Sequence, residues 1–290
     1  MSIEVVFVLF GFLFLMACGV SLAVSMIACG FFGLMIVGNF QVALTSLAYV
    51  PFSSVASGTL IVIPLFILTG QIAFAAGISR DAYDMAYRWL GRFRGGLAMA
   101  SIAACAAFAA TSGSSVATAA TVGKIAIPEM RRFGYKDSLA TGVVAAGGSL
   151  GILIPPSVAF IIYGIITETS IGKLLIAGIV PGIISAAIYL GGITVLTRIN
   201  PDIAPKGESF PWSEKFKTLL KSTNILILFV IIIGGIYTGL FTPSEAAAVG
   251  VAVALILAFL RKAEMKTVLA ACSETANTSA MIFLLLVGAF

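Results

Sequence analysis

The feature that most constrains this chain is a succession of apolar segments as long as a lipid bilayer is thick. A hydrocarbon core of about 30 Å is crossed by roughly 20 helical residues. Val5 to Val37 is long enough to cross twice, Leu174 to Leu196 crosses once, and Ala246 to Leu260 does so with its flanks. Ile225 to Leu240 is slightly short. Lipid offers no partner to a free N–H or C=O, so such segments are helices. Apolar residues make up 60% of the 290 positions and charged residues 10%, with a mean hydropathy of +1.13. The expected fold class is therefore an all-α polytopic membrane protein, one assembly of many helices. The apolar start lacks a basic lead-in and a small-residue cleavage pattern, so Val5 onward is expected to be mature membrane helix and not a signal peptide.

Several function classes are disfavoured by what is missing. The chain has no histidine, which removes the commonest general base and transition-metal ligand. Cys18, Cys29, Cys105 and Cys272 lie in or beside apolar segments without a CxxC spacing, and are expected to be small packing residues. The net charge of +5 is not gathered into a basic module with interleaved aromatics, so no nucleic-acid partner is expected. No GxxxxGK[ST] run is present to bind ATP. An intramembrane serine hydrolase built on Ser112 or Ser115 would lack a base, since Lys124 belongs to the membrane edge.

The basic residues report topology. Sixteen of the seventeen Lys and Arg fall into four groups expected to be short loops: Arg80 to Arg94, Lys124 to Lys136, Arg198 to Lys221, and Arg261 to Lys266; only Lys173 stands apart. Short basic loops stay in the cytoplasm, so all four groups are expected there. Out-and-back helix pairs then occupy 138–166 with 174–196, and 224–239 with 246–260. Between the first two groups only Gly95 to Ile127 remains, and both its ends must lie on one face. A re-entrant hairpin satisfies this, with the run TSGSS from Thr111 to Ser115 as its tip. Two short full spans packed through small residues are the alternative.

Four constellations could carry chemistry. Thr111 to Thr118 holds five hydroxyls and a glycine; hydroxyls and freed carbonyls suit a hard cation, and half-helix N-termini suit an anion, so sodium and a carboxylate fit such a tip. Gly147 to Ser157 (GGSLGILIPPS) should unwind its helix near mid-membrane, although a simple proline kink is the alternative. Ile78 to Arg94 reads as an amphipathic helix at the membrane interface, in which Asp84 and Arg88 can pair four residues apart. Thr242 to Glu245 reads as a helix start, with Glu245 complementing the helix dipole.

Together these stretches resemble a known family, the large membrane subunit of tripartite ATP-independent periplasmic (TRAP) transporters. The matching runs are Ile63 to Gly70 (IPLFILTG), Gly77 to Arg80, Arg94 to Ala98, Ser112 to Ala117 (SGSSVA), Gly151 to Ser157 (GILIPPS), Ile171 to Leu174, Ala177 to Gly182, and Phe241 to Ala248 (FTPSEAAA). The resemblance implies an elevator-type secondary transporter of the ion-transporter superfamily, with a re-entrant hairpin and a broken helix, and not an enzyme. It implies sodium-coupled uptake of an organic acid (a C4-dicarboxylate, sugar acid or sialic acid) across the bacterial inner membrane. The implied partners are a small membrane (Q) subunit and a periplasmic substrate-binding (P) protein; Na+ is the coupling ion and no organic cofactor is expected. By that similarity Ser112, Ser114, Ser115, Gly151, Ile154 and Pro156 form a sodium site, and Gly113, Thr118 and Ser149 lie near substrate. The family often carries an acidic residue where this chain has Thr118. The implied division is scaffold helices and arm in 1–94, a transport half in 95–170 with hairpin 95–127 and broken helix 138–166, a helix and cytoplasmic loop in 171–222, and the start of a second repeat in 223–290. Because the family continues through a second, inverted hairpin and broken helix, the end at Phe290 reads as a truncation that removes a second ion site and part of the substrate pocket. The competing expectation is a channel-like or scaffold membrane subunit without ion coupling.

Overall fold

The computed structural model describes residues 3–205 and 207–290. Lys206, expected in the third basic group, lies outside them. Among the described residues every regular element is helical. Five helical stretches are long and apolar enough to cross a membrane: Gly58–Ala75, Ile171–Ile199, Trp212–Tyr237, Pro243–Leu260 and Met265–Ala289. A pair, Asp137–Leu153 and Val158–Ile166, passes the same test when taken together and is bent by 42° at its break. The chain is thus a multi-pass helical membrane protein.

Contacts divide it into two compact units, cut at Ile61/Val62 and Thr275/Ala276, whereas the expected division followed function and not compactness. The smaller unit holds α1 (Ile3–Ala17), α2 (Leu22–Val37), α3 (Phe40–Val55) and the end of α14 (Met265–Ala289). Val5 to Val37 does fold as two helices, turned at Gly19, whose φ of +80° suits a residue without a Cβ. At 15 and 16 residues each is somewhat shorter than a full crossing. Phe7, Phe10 and Phe14 recur at helical spacing and are exposed, as an apolar face turned to lipid must be.

The larger unit contains α4 (Val62–Ala75), α5 (Ile78–Leu90), α6 (Gly96–Ser112), α7 (Ser115–Arg132), α8 (Asp137–Leu153), α9 (Val158–Ile166), α10 (Ile171–Ala177), α11 (Ile179–Ile199), α12 (Trp212–Tyr237), α13 (Pro243–Leu260) and the start of α14. Its main core joins α6, α7 and α8 through Leu97, Ile102, Cys105, Phe108, Val122, Met130, Val143 and Leu150. Small residues set the spacing. A Cβ on Gly147 would lie 2.7 Å from Cys105 Sγ, so Cys105 is indeed a packing residue.

Three expectations are corrected. The basic groups are not confined to loops: Arg80 and Arg88 lie on α5, Lys124, Arg131 and Arg132 on α7, and Lys215, Lys217 and Lys221 on α12. Long side chains let a helix run past the apolar region while exposed charges such as Lys124, Lys217 and Lys221 stay in water; Lys215 alone of those on α12 is buried. For the same reason the short apolar segment from Ile225 is the second half of a 26-residue helix, Trp212–Tyr237, and the chain has already left the helix at Leu240. Arg88 does not take Asp84 as its ion-pair partner; it pairs with Glu214 on α12, while Asp81 pairs with Arg261. The amphipathic arm α5 is therefore tied by charge to neighbouring helices, in addition to burying Ile78, Ala82, Tyr83 and Ala86. Beyond the far end of α12, Thr242 and Glu245 open α13 as expected, and do so through a reciprocal cap: Thr242 N–H donates to Glu245 Oε2 at 2.8 Å, and Glu245 N–H donates to Thr242 Oγ1 at 3.3 Å.

Candidate functional site: two helix breaks in contact

The hairpin is interrupted where the hydroxyl run stands. The first arm, α6, ends at Ser112, and Gly113 follows with φ +63°, a left-handed conformation that a Cβ would strain. Ser114 caps the second arm, α7, by accepting from Ala117 N–H at 3.3 Å. The other interruption lies at Ile154 to Ser157. Ile154 turns extended after α8, Pro155 and Pro156 supply no N–H, and Ser157 caps α9 while donating to Ile152 O at 2.6 Å.

These two breaks touch. Val158 N–H donates to Gly113 O at 3.0 Å across them. A Cβ on Gly113 would stand 2.3 Å from Pro156 O, and one on Gly151 would stand 2.7 Å from Ser114 C, Ser114 O and Ser115 N. Backbone thus meets backbone with no side chain between, which only glycine permits at these two positions. Ser112, Gly113, Thr118, Gly151 and Pro156 are buried, whereas Ser114 and Ser115 are partly open and Val116 is exposed.

Of the residues expected at a sodium site, Ser112, Ser114, Ser115, Gly151 and Pro156 come together at this junction. Ile154 sits at its rim and packs on α11: a Cβ on Gly182 would lie 2.7 Å from Ile154 Cγ1. Gly113 is part of the contact itself. Thr118 is fully buried beneath the tip, where its hydroxyl donates to Ser114 O at 2.7 Å and lies 3.2 Å from Ser112 Oγ. Ser149 bonds elsewhere: its hydroxyl lies 2.9 Å from Tyr189 OH on α11 and donates to Ala146 O at 2.7 Å.

Two further residues support the junction. A Cβ on Gly70 of α4 would stand 2.5 Å from Ser112 Cα and 3.0 Å from Thr111 O, so α4 lies directly under the hairpin tip. A Cβ on Gly148 would meet Ala119 Cβ at 2.7 Å, so α7 and α8 are nearly in van der Waals contact along this face. The available signal was a lone glycine in an apolar run (Gly70) and the i, i+3 spacing of Gly148 and Gly151.

No Asp, Glu, Lys or Arg occurs in 109–118 or 146–160. Among the described residues no three His, Cys, Asp or Glu gather at one place. The junction is neutral, built from hydroxyls, carbonyls and helix ends. Such a donor set suits a weakly held hard cation and gives a transition metal little to bind.

Two helical arms meeting at a polar break, a second helix broken beside them, and the direct contact of the two breaks define a multi-pass helical membrane protein with irregular backbone buried between its helices. The chain belongs to the DctM component family of tripartite ATP-independent periplasmic transporters, whose family model matches residues 9–290. It is 42% identical over 221 residues to the C4-dicarboxylate TRAP transporter large permease protein DctM of Pseudomonas aeruginosa, covering 76% of this chain and 51% of that protein. It is 36% identical over 238 residues to the ectoine TRAP transporter large permease protein TeaC of Halomonas elongata, covering 80% of this chain and 55% of the relative. It is also 36% identical over 233 residues to the sialic acid TRAP transporter large permease protein SiaM of Vibrio cholerae, covering 79% and 54%. The matched stretches thus make up about half of each relative.

Proposed function

We propose that the chain is part of a large permease that carries an organic acid across the bacterial inner membrane on a sodium gradient by an elevator motion, receiving its substrate from a periplasmic binding protein beside a small membrane subunit. The observation that carries this reading is the contact of the two helix breaks. The carbonyls around Ser112, Gly151, Ile154 and Pro156, with the Ser115 hydroxyl, offer a sodium ion neutral oxygens at the two breaks, whereas the Ser114 carbonyl already accepts from the N–H and the hydroxyl of Thr118, at 3.0 and 2.7 Å. The N-terminal ends of α7 and α9 offer their positive dipole ends to a carboxylate near Gly113 and Thr118. The basic helix ends and loops would face the cytoplasm.

The energetics are sufficient. Two sodium ions falling through about 100 mV and about a tenfold gradient release about 7 kcal/mol, and a singly charged anion returns about 2.3 of it. The remainder supports accumulation of more than about a thousandfold. The names of relatives speak for substrate class only by analogy: C4-dicarboxylates and sialic acids are acids, whereas ectoine is a zwitterion.

The test is uptake of labelled organic acids by proteoliposomes holding the complete permease, its small partner and the binding protein, with and without an inward sodium gradient. Uptake that needs sodium and fails in Ser115→Ala is the expected result. Uptake indifferent to sodium would overturn the coupling and favour a channel-like role.

A further inference from the structure

Both tryptophans of the chain, Trp89 and Trp212, pack against each other at one corner of the larger unit, where the arm α5 meets the start of α12. Their rings are 6.1 Å apart at 89°, and Phe216 lies 6.5 Å from Trp89 and 6.2 Å from Trp212. Trp89 Nε1 donates to Lys215 O at 3.3 Å, and Lys215 Nζ sits 5.0 Å over the Trp212 ring.

The first turns of α12 have two distinct faces. Lys215, Thr218, Ser222 and Ile225 are buried against the protein, and Ser222 Oγ donates to Asp81 O at 2.8 Å. The opposite ridge, Trp212, Phe216 and Leu220 at i, i+4 and i+8, is 64%, 55% and 76% exposed. Lys217 and Lys221, each one position on, are exposed beside it. Among the described residues nothing covers this outward apolar ridge with its flanking lysines.

Its place along the helix and its charge identify what does. The uncharged apolar run of α12 extends from Ile225 to Tyr237, so the polar first turns that carry the ridge stand at the edge of the membrane-embedded part, beside the headgroups. The two exposed lysines complement the negative charge of acidic headgroups there. We propose that the Trp212–Phe216–Leu220 ridge, with Lys217 and Lys221, is a docking surface for acidic phospholipid headgroups of one membrane face. The rings lie at the acyl–headgroup boundary and the two ammonium groups reach the phosphates. Because α5 leads through Gly95 into α6, the same lipid contact holds the root of the hairpin at a fixed depth. This inference does not depend on the sodium reading.

The two tryptophans make the surface directly observable. The chain is reconstituted in vesicles of phosphatidylcholine with phosphatidylglycerol, one or the other lipid brominated near the top of its acyl chains, and tryptophan emission is read against a Trp89→Phe/Trp212→Phe background. Quenching by brominated lipid is expected, stronger when phosphatidylglycerol carries the bromine. That preference should fall about fivefold for each of Lys217→Gln and Lys221→Gln, and stay unchanged in Lys173→Gln. Emission quenched by aqueous acrylamide but not by either brominated lipid overturns the proposal. So does emission protected from both, which assigns the ridge to a protein partner, and so does equal quenching by the two lipids that ignores the lysines.

Discussion

Replacing Gly151 by alanine tests whether the contact between the two breaks matters. The new Cβ would lie 2.7 Å from three backbone atoms, Ser114 C, Ser114 O and Ser115 N, where ordinary contact begins near 3.4 Å. Helix α8 and the hairpin tip must therefore separate by about 0.7 Å, and neither side can yield by turning a side chain. Overpacking of this kind costs about 1–3 kcal/mol. If the cation bridges the two breaks, that strain is drawn from the bound arrangement, and sodium affinity falls about 5- to 150-fold. The control lies on the same helix: a Cβ on Gly142 meets nothing within 4 Å, and alanine there should stabilise α8 by about 0.5–1 kcal/mol. The assay is melting temperature against sodium concentration, with choline as the reference salt, since a ligand that binds only the folded state stabilises it by RT ln(1 + [L]/Kd). Gly142→Ala should give a curve displaced upward with the parent's sodium midpoint, whereas Gly151→Ala should need far more sodium for the same gain. A Gly151→Ala protein that matches the parent's sodium midpoint would refute the idea that ion binding uses this junction.

Further expectations follow from other contacts. Ser149 bonds to Tyr189, so Ser149→Ala and Tyr189→Phe should weaken the same hydrogen bond and have matching effects of about 1 kcal/mol on stability; a rise in substrate KM in Ser149→Ala alone would instead place that hydroxyl at the substrate. Arg261 pairs with Asp81 and donates to Ala76 O at 3.3 Å and Lys221 O at 3.1 Å, joining the ends of α4 and α13 to the first turn of α5 and the body of α12. Arg261→Gln should lose about 2–3 kcal/mol, with Asp81→Asn adding much less in the double mutant, as thermal unfolding would report. Additive losses would show that the pair does not act as a unit. Thr242→Ala removes one half of the reciprocal cap and should cost about 1 kcal/mol, read as faster amide exchange in the first turn of α13.

The helix breaks were legible in sequence because they are covalent facts before they are structural ones. Pro155 and Pro156 lack N–H groups wherever they sit, and a glycine inside a hydroxyl run is a poor helix interior in any context. The amphipathic arm and the Thr242 cap were legible for a similar reason, since each is encoded within one or two turns. What could not be read were choices among partners distant in the chain. Arg88 finds Glu214, 126 positions away, in preference to the carboxylate four residues before it, because α12 packs along α5.

The same limit explains the candidate site. A helix advances 100° per residue, so Gly148 and Gly151 share a face while Ser149, one residue from the first and two from the second, points elsewhere. Which face meets the hairpin depends on how α8 packs, and that is set by pairs such as Gly147 with Cys105 and Gly148 with Ala119, which lie 42 and 29 positions apart in the chain. Once one face is committed to the hairpin through glycines, the hydroxyl of Ser149 is turned toward α11 and Tyr189. Residue type therefore identified the junction, but the rotation of one helix decided which of its polar groups the junction could use. In a membrane, where lipid rewards apolar burial little, that rotation rests on small residues permitting close approach. The glycines of α8 are accordingly as much a part of the site as its hydroxyls.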